Sequence, residues 1–588
     1  MEEYDILIVN GYVVDGTGRP MFKANVAIKA PFIEAVGPEV KGDAKLVIDA
    51  KGLIVCPGFI DVHSHADKTL PIFPTADGYV MQGVTTTIGG NCGNTIAPIR
   101  KYWPPNMFWD LDLLNEVRPY KYGLDELIPF EEMRKKVKEV YGVDINWHTF
   151  AEFLDWLERN RISVNHVPLV GHNTIRAQVM GLEKREPKPE ELKEMKELIR
   201  EAMEAGALGM SSGLDYVPGC YAKTEELVEL VKVVKEYGGF YFTHWRSIRR
   251  DEVTIRDKLA GIKEALEIGR RAGVKVELSH LTSGFTIFPR PSPELERASA
   301  EATLEVIDEA IKGGVDVYFD IIPNTTGGTL TFRYLASILA PWLRELGSRE
   351  ALSRALRMKD FRDEIKKAIL EGKVLFLHPS VNPYWSEELE VVGHKEDKYK
   401  GKTIAEIARE EGKDPIDALF DILASDPNTI IYEKVERGEE EIKTFLRHER
   451  CMIGLDTYSF SLYWEMKGPP HYLPHPNTYG AVPRLIRKYV REEKVLSLEE
   501  AIRRLTSMPA RRFMIDRRGV IEPGAYADIV IFDYNTISEV IDKEEPRRPP
   551  KGIHYVIVNG VLVVEKGRHT GAKPGKVIRF RRARGERP

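Results

Sequence analysis

Six residues of metal-ligating type stand at the ends of strand-like runs in this chain. His63 and His65, in Asp61-Val-His-Ser-His-Ala-Asp67, close a run over 59–65. The two-residue period of a strand puts both imidazoles on one face. Cys92 follows the run 84–88, in Gly89-Gly-Asn-Cys-Gly93, and His244, His280 and Asp456 end runs at 240–244, 274–280 and 452–456. Imidazole nitrogen, thiolate and carboxylate are the donors that hold zinc and similar ions. Singly, each has a plain structural reading: Cys92 as a small buried hydrophobe, either histidine as a hydrogen-bonded core residue, Asp456 as a turn cap. With 14 histidines in 588 residues, chance alone gives roughly 0.3 His-x-His pairs. Six such residues on five strand ends outweigh the separate structural readings.

The elements that must position them form a strand–helix alternation. Strand-like runs occur at 59–65, 84–88, 166–171, 207–212, 240–244, 274–280, 315–321 and 452–456, with helical patterns at 189–205, 224–237, 257–272 and 301–312. Eight such units predict a (β/α)8 TIM-like hydrolase barrel, with its site at the C-terminal strand ends. The catalytic barrel is expected over 57–516. Residues 104–160 carry extra helix and many aromatics. An inserted subdomain at about 323–450 has its own helices near 350–371 and 402–424, where a substrate lid would lie. The runs 5–13 and 554–562 are both β-branched and broken at Asn-Gly, a hairpin signal. With further strands at 26–28, 33–36, 46–49 and 528–533, residues 1–56 plus 517–588 read as one small composite β-sandwich domain.

Composition narrows the class. At 43% hydrophobic and 30% charged residues the chain buries a large core, which excludes disordered and low-complexity classes. No stretch approaches the roughly 20 apolar residues of a membrane span. The acidic start, Met-Glu-Glu-Tyr-Asp, lacks a signal pattern, so a cytoplasmic location is expected. A net charge of −5 gives no reason to expect nucleic acid or a membrane surface as partner. The basic end, 576–587, reads as a solvated tail or final strand. Four scattered cysteines make no disulfide scaffold. Only Gln82 and Gln178 are glutamines, amid abundant Lys, Glu and Arg, the composition of a hyperthermophile protein.

These segments resemble the amidohydrolase superfamily and, within it, the D-aminoacylase (N-acyl-D-amino-acid deacylase) group. The resemblance rests on Pro57-Gly-Phe-Ile-Asp-Val-His-Ser-His65, Gly89-Gly-Asn-Cys92, Gly171-His-Asn-Thr-Ile-Arg176, Ser211-Ser-Gly-Leu-Asp-Tyr216, Thr243-His-Trp-Arg-Ser247, Leu278-Ser-His-Leu281, Ile453-Gly-Leu-Asp456, His475-Pro-Asn-Thr-Tyr-Gly-Ala-Val-Pro-Arg484 and the closing segment 519–533. It implies a one- or two-metal hydrolase of amide C–N bonds, with Zn2+ or another divalent ion activating water against an N-acyl-D-amino acid or D-residue-containing amide. By the same carry-over Cys92, His244 and His280 hold the tighter ion, and His63, His65 and Asp456 line a weaker position. Asp456 serves as general base and then acid. Tyr216 either donates to the developing oxyanion or packs in its loop. His172 reads as structural, His475 as pocket-lining, and His148, His394, His448, His554 and His569 as surface.

The departures bear on substrate. The group carries a lysine two residues after the strand-six histidine and an arginine in the His-Pro-Arg segment; here those positions are Thr282 and Asn477. Arg246, Arg176, Arg333 or Lys467 would have to replace them, with Arg246 and Arg176 nearest to strand ends. A cyclic-amide hydrolase of hydantoinase or dihydroorotase type is the nearest rival, opposed by the lack of a lysine on the fourth strand. A non-catalytic scaffold subunit is another, opposed by the complete ligand set. The partner is a small-molecule amide, and a homo-oligomer is expected, a hetero-subunit remaining open.

Overall fold

The computed structural model describes residues 3–104, 127–249, 255–466 and 468–581. Eight parallel barrel strands follow in chain order: Phe59–Ser64, Val84–Gly89, Asn165–Pro168 continued by Val170–Gly171, Gly209–Gly213, Phe240–His244, Lys275–Leu278, Val317–Ile321 and Cys451–Ile453. They hydrogen-bond as a three-stranded and a six-stranded sheet that share the interrupted third strand. The ring closes between the first and eighth strands: Asp456 N–H donates to His63 O at 2.8 Å and His65 N–H to Thr457 O at 2.9 Å. The barrel interior is apolar, with Val62, Ile88, Val167, Phe242 and Met452 in one cluster. Strands buried on both faces often read as nearly continuous apolar runs, as Val317–Ile321 and Cys451–Ile453 do.

Helices cover the outside. Pro189–Ala205, Thr224–Glu236, Lys258–Ala272 and Pro293–Lys312 follow the third to sixth strands and flank them, the last starting eight residues before its sequence pattern at 301 because Ser292 caps it. Residues 335–431 form a second apolar core of short helices around Leu339, Trp342, Leu389, Ile407 and Leu419, carried on a three-stranded sheet. His394 is buried there rather than on the surface, with its Nε2 3.0 Å from Ser425 Oγ.

Strands from both termini build one nine-stranded sheet around a shared core that includes Ile8, Val26, Ile48, Val55, Ile529 and Ile557. The two Asn-Gly pairs differ. Asn559 and Gly560, at φ 49° and 76°, join Ile553–Val558 to Val561–Glu565, the hairpin that the signal predicts. Asn10-Gly11 is not a hairpin turn: it lies inside the strand Glu3–Val13, at a shift in register against its partner strand. An Asn at φ 63° serves a bulge as readily as a turn.

The described part of the basic end lies against the barrel. His166 donates its N–H to Lys576 O and receives that of Ile578, both at 2.8 Å. No helix among the described residues is long and apolar enough to cross a membrane.

Candidate metal centre

All six ligand-type residues converge at the C-terminal mouth of the barrel. Cys92 Sγ lies 3.4 Å from His63 Nε2, 3.6 Å from His280 Nε2 and 3.7 Å from His244 Nδ1. His244 Nδ1 and His280 Nε2 are 2.9 Å apart. Asp456 Oδ1 is 2.9 Å from His65 Nε2 and 3.6 Å from His63 Nε2. Two trios have donor atoms all within 4.8 Å of one another: His63 with Cys92 and His280, and His63 with His65 and Asp456. His63 therefore faces both positions, whereas the sequence reading gave it to one.

The backbone is strained at this point. Cys92, His280 and Asp456 have φ values of 55°, 35° and 54°, a region costing a non-glycine residue roughly 1–3 kcal/mol. Hydrogen bonds hold each in place. Asp320 Oδ1 accepts the His280 N–H at 2.9 Å, Asn94 Nδ2 donates to Cys92 O at 3.0 Å, and Asp456 is fixed by the closing bond to His63. Asp61 Oδ1 accepts from His63 N–H and Leu455 N–H, tying the first and eighth strand ends. On the fourth strand, which carries no lysine, Ser211 accepts the Gly93 N–H at 3.0 Å and grips the Cys92 loop.

Two acids absent from the sequence reading support the cluster. Asp215 Oδ2 lies 3.1 Å from His244 Nε2, so that ring's Nδ1 turns toward Cys92. Asp215 is itself fixed by the Ser247 and Ile248 N–H groups. Asp320 Oδ2 sits 3.7 Å from His63 Nδ1. Asp215 adjoins Tyr216 in a segment already singled out, and Asp320 is on the one late strand without an assigned ligand.

Burial disfavours charge on the Cys92 thiol, but the surrounding His63, His244 and His280 rings outweigh it and hold the thiol well below its ordinary range. Burial likewise opposes protonation of His244, yet Asp215 and Cys92 raise it to about 10. A thiolate and several imidazole nitrogens thus face one buried point, where positive charge, carried by ring protons or by a divalent ion that displaces them, balances the thiolate. This donor set fits a divalent metal of zinc type. Burial would raise Asp456, but the His65 hydrogen bond and the nearby imidazoles keep its carboxyl below its usual range and therefore ionised.

The chain belongs to the amidohydrolase family. The family model matches residues 46–321 and 471–564. D-aminoacylase of Alcaligenes xylosoxydans xylosoxydans is 29% identical over 98% of each chain. N-acyl-D-glutamate deacylase of the same organism is 30% identical, over 98% of this chain and 97% of the relative. The crystal structure of N-acyl-D-glutamate deacylase from Bordetella bronchiseptica, complexed with zinc and a phosphonate inhibitor, is 28% identical and superposes with a TM-score of 0.66 over 98% of this chain and all of that one. The chain is thus a hydrolase of the amidohydrolase barrel class.

The remaining candidates divide. Tyr216 is 37% exposed, but its hydroxyl reaches inward to 3.3 Å from His244 Nδ1. His475 is buried and held neutral by that burial, with its pKa lowered to about 4; it lines a cavity of about 220 Å3 together with Asn477. Asn477 is engaged by Asn324 Nδ2 at 2.9 Å. Thr282 lines a neighbouring cavity with His280. The two arginines are not brought to the mouth. Arg246 spends its donors on Glu264, Cys220 O and Ala222 O. Arg176 is fully buried beside Glu226 and Arg185 O. Arg333 stacks over Tyr334 near Glu465, and Lys467 lies outside the described residues. His172 is structural, paired to Glu226 at 2.8 Å.

Proposed function

We propose that this chain is a zinc-dependent deacylase of N-acyl-D-amino acids, cleaving the amide between the acyl carbon and the amino-acid nitrogen. The convergence of Cys92, His63, His244 and His280 at the barrel mouth, with Asp456 beside His65, carries the reading. End-to-end similarity to D-aminoacylase and N-acyl-D-glutamate deacylase supplies the substrate class.

Cys92, His63, His244 and His280 would hold the ion, with His65 and Asp456 beside a second position. A zinc-type ion held there would bring the pKa of water to about 7 and polarise the scissile carbonyl. The ionised Asp456 carboxylate accepts a proton from the attacking water and returns it to the leaving nitrogen. Tyr216 donates its hydroxyl to the carbonyl oxygen as charge develops on it. Asp215 and Asp320 keep His244 and His63 oriented.

The test is amine release at high temperature from paired N-acyl-D and N-acyl-L amino acids, with capped and D-containing dipeptides in the same panel, before and after zinc removal. Turnover confined to D compounds and abolished by chelation is the expected result. Equal turnover of L compounds, or activity that survives complete zinc removal, would refute it.

A further inference from the structure

The cavity of about 220 Å3 that His475 and Asn477 line opens off the barrel mouth. Asn324 and Thr325 line both it and the neighbouring cavity that has His280 in its wall. One wall is the inserted strand Ile430–Glu433, whose last residue presents a carboxyl. Thr331 Oγ1 donates to that carboxyl at 3.0 Å, and the Phe332 N–H donates to it as well. Both donors are neutral. Thr331 belongs to the strand Leu330–Phe332, which pairs with Tyr472–Pro474. Just beyond the end of that ribbon the His475 N–H donates to Thr329 O at 3.2 Å. Glu433 is thus anchored two residues, roughly 7 Å, along the ribbon from His475, whose ring feels the Asp456 carboxylate.

The cations that line the cavity are engaged by other acids. Arg484 lies 2.8 Å from Glu439, Arg548 2.8 Å from Asp542, Lys543 2.6 Å from Glu390 and Lys434 2.9 Å from Glu436. Arg333 turns to Tyr334 and Glu465. Among the described residues no cation pairs with Glu433, and the charge that acts on it is a second carboxylate, Glu388.

We propose that Glu433 is a specificity-determining residue that binds a cationic group of the substrate, an ammonium or guanidinium carried into this cavity while the scissile amide sits at the metal ligands. This deepens the deacylase reading and rests on it. A recessed carboxylate is disfavoured without a counter-charge, and a cation at hydrogen-bond distance relieves it. Burying this carboxyl also lowers stability at neutral pH, a loss that chains carry where a site needs the group. Thr331 and Phe332 fix its position and leave further lone pairs for an incoming donor. The cation can sit on either side of the scissile bond, as the side chain of the D-residue or as the terminal amine of the acyl group.

The experiment uses the zinc-loaded full chain at pH 8 and two substrate pairs. Nα-acetyl-D-lysine against N-acetyl-D-norleucine places the cation on the D-residue. 6-Aminohexanoyl-D-methionine against hexanoyl-D-methionine places it on the acyl group. The wild type should favour the cationic member of one pair. In E433Q that kcat/KM ratio should fall roughly 10- to 100-fold, mainly through KM, as expected for loss of a charge-assisted hydrogen bond. E433D keeps the charge on a shorter stem and should retain part of the ratio, with zinc content unchanged in both variants. The pair that moves identifies the source of the cation. Ratios that E433Q leaves unchanged in both pairs would overturn the proposal, as would an equal loss on cationic and neutral members, which marks a structural carboxyl. Wild-type preference for the neutral member of both pairs would also overturn it while leaving a deacylase. Wild-type silence on every N-acyl-D compound would remove the deacylase reading, and the proposal with it.

Discussion

At the scale of single residues the centre depends on groups that touch no substrate. His244 can turn its Nδ1 toward the Cys92 side of the centre because Asp215 takes its other nitrogen. Carboxylates behind metal-ligating imidazoles typically contribute 10- to 100-fold in metal affinity or activity. Asp215→Ala should therefore lower zinc affinity by about that factor, as read by competition with a chromogenic chelator. Unchanged affinity would mean that packing alone orients the ring. Asp456 separates in the opposite way. Asp456→Asn retains size and one acceptor but cannot take a proton. It should cost roughly 10²- to 10⁴-fold in kcat while the protein keeps zinc in the His63, Cys92 and His280 trio and melts cooperatively. Near-full turnover in that variant would exclude the proton transfer assigned to Asp456.

At the scale of elements, legibility followed the physics of each signal. The barrel strands and the six ligand-type residues were readable because strand ends and donor chemistry are both local in sequence. Orientation is not local. Arg246 and Arg176 stand just past strand ends, yet their guanidiniums point into helix-side contacts. His394, amid polar neighbours, gives no sign of the pocket that the inserted segment builds around it. Within that segment the strand Ile430–Glu433 ends on a carboxyl that burial raises to about 7, despite a hydrogen bond from Thr331 Oγ1 at 3.0 Å. The sign is that of a raised acid. Folding favours its protonated form, so stability from this group is full below the unfolded value near 4.5 and declines as pH rises toward 7. Glu433→Gln removes the titration. Its melting temperature should match wild type near pH 4.5 and exceed it at pH 8, reflecting a stability difference on the order of 1 kcal/mol. Parallel Tm-against-pH curves for the two proteins would show that Glu433 is not desolvated.

At the scale of the whole molecule, the two termini do more than form a sheet beside the barrel. The last described residues leave that sheet and run along the third barrel strand. Gly575 N–H donates to Ile162 O, Ile578 N–H to His166 O and Phe580 N–H to Gly206 O, all at 2.8 Å. A glycine is required at the entry, since a Cβ at 575 would sit 2.0 Å from Val164 O. Val577, Ile578 and Phe580 pack as partly buried side chains against the apolar clusters beneath the strands. A solvated tail would contribute nothing to stability, whereas this strap couples the chain's end to the ring that carries the metal ligands. Three half-buried apolar side chains and their backbone bonds amount to about 3 kcal/mol. Truncation after Pro574 should therefore lower the melting temperature by several degrees relative to a chain ending at Arg581, the difference isolating residues 575–581. Because the strap meets the barrel at the end opposite the metal ligands, zinc stoichiometry of the truncated protein should stay at the wild-type value below its transition. Identical melting of the two truncations would return the basic end to the status of a solvated tail. Loss of zinc before unfolding would instead mean that the closure of the ring is set from its far end.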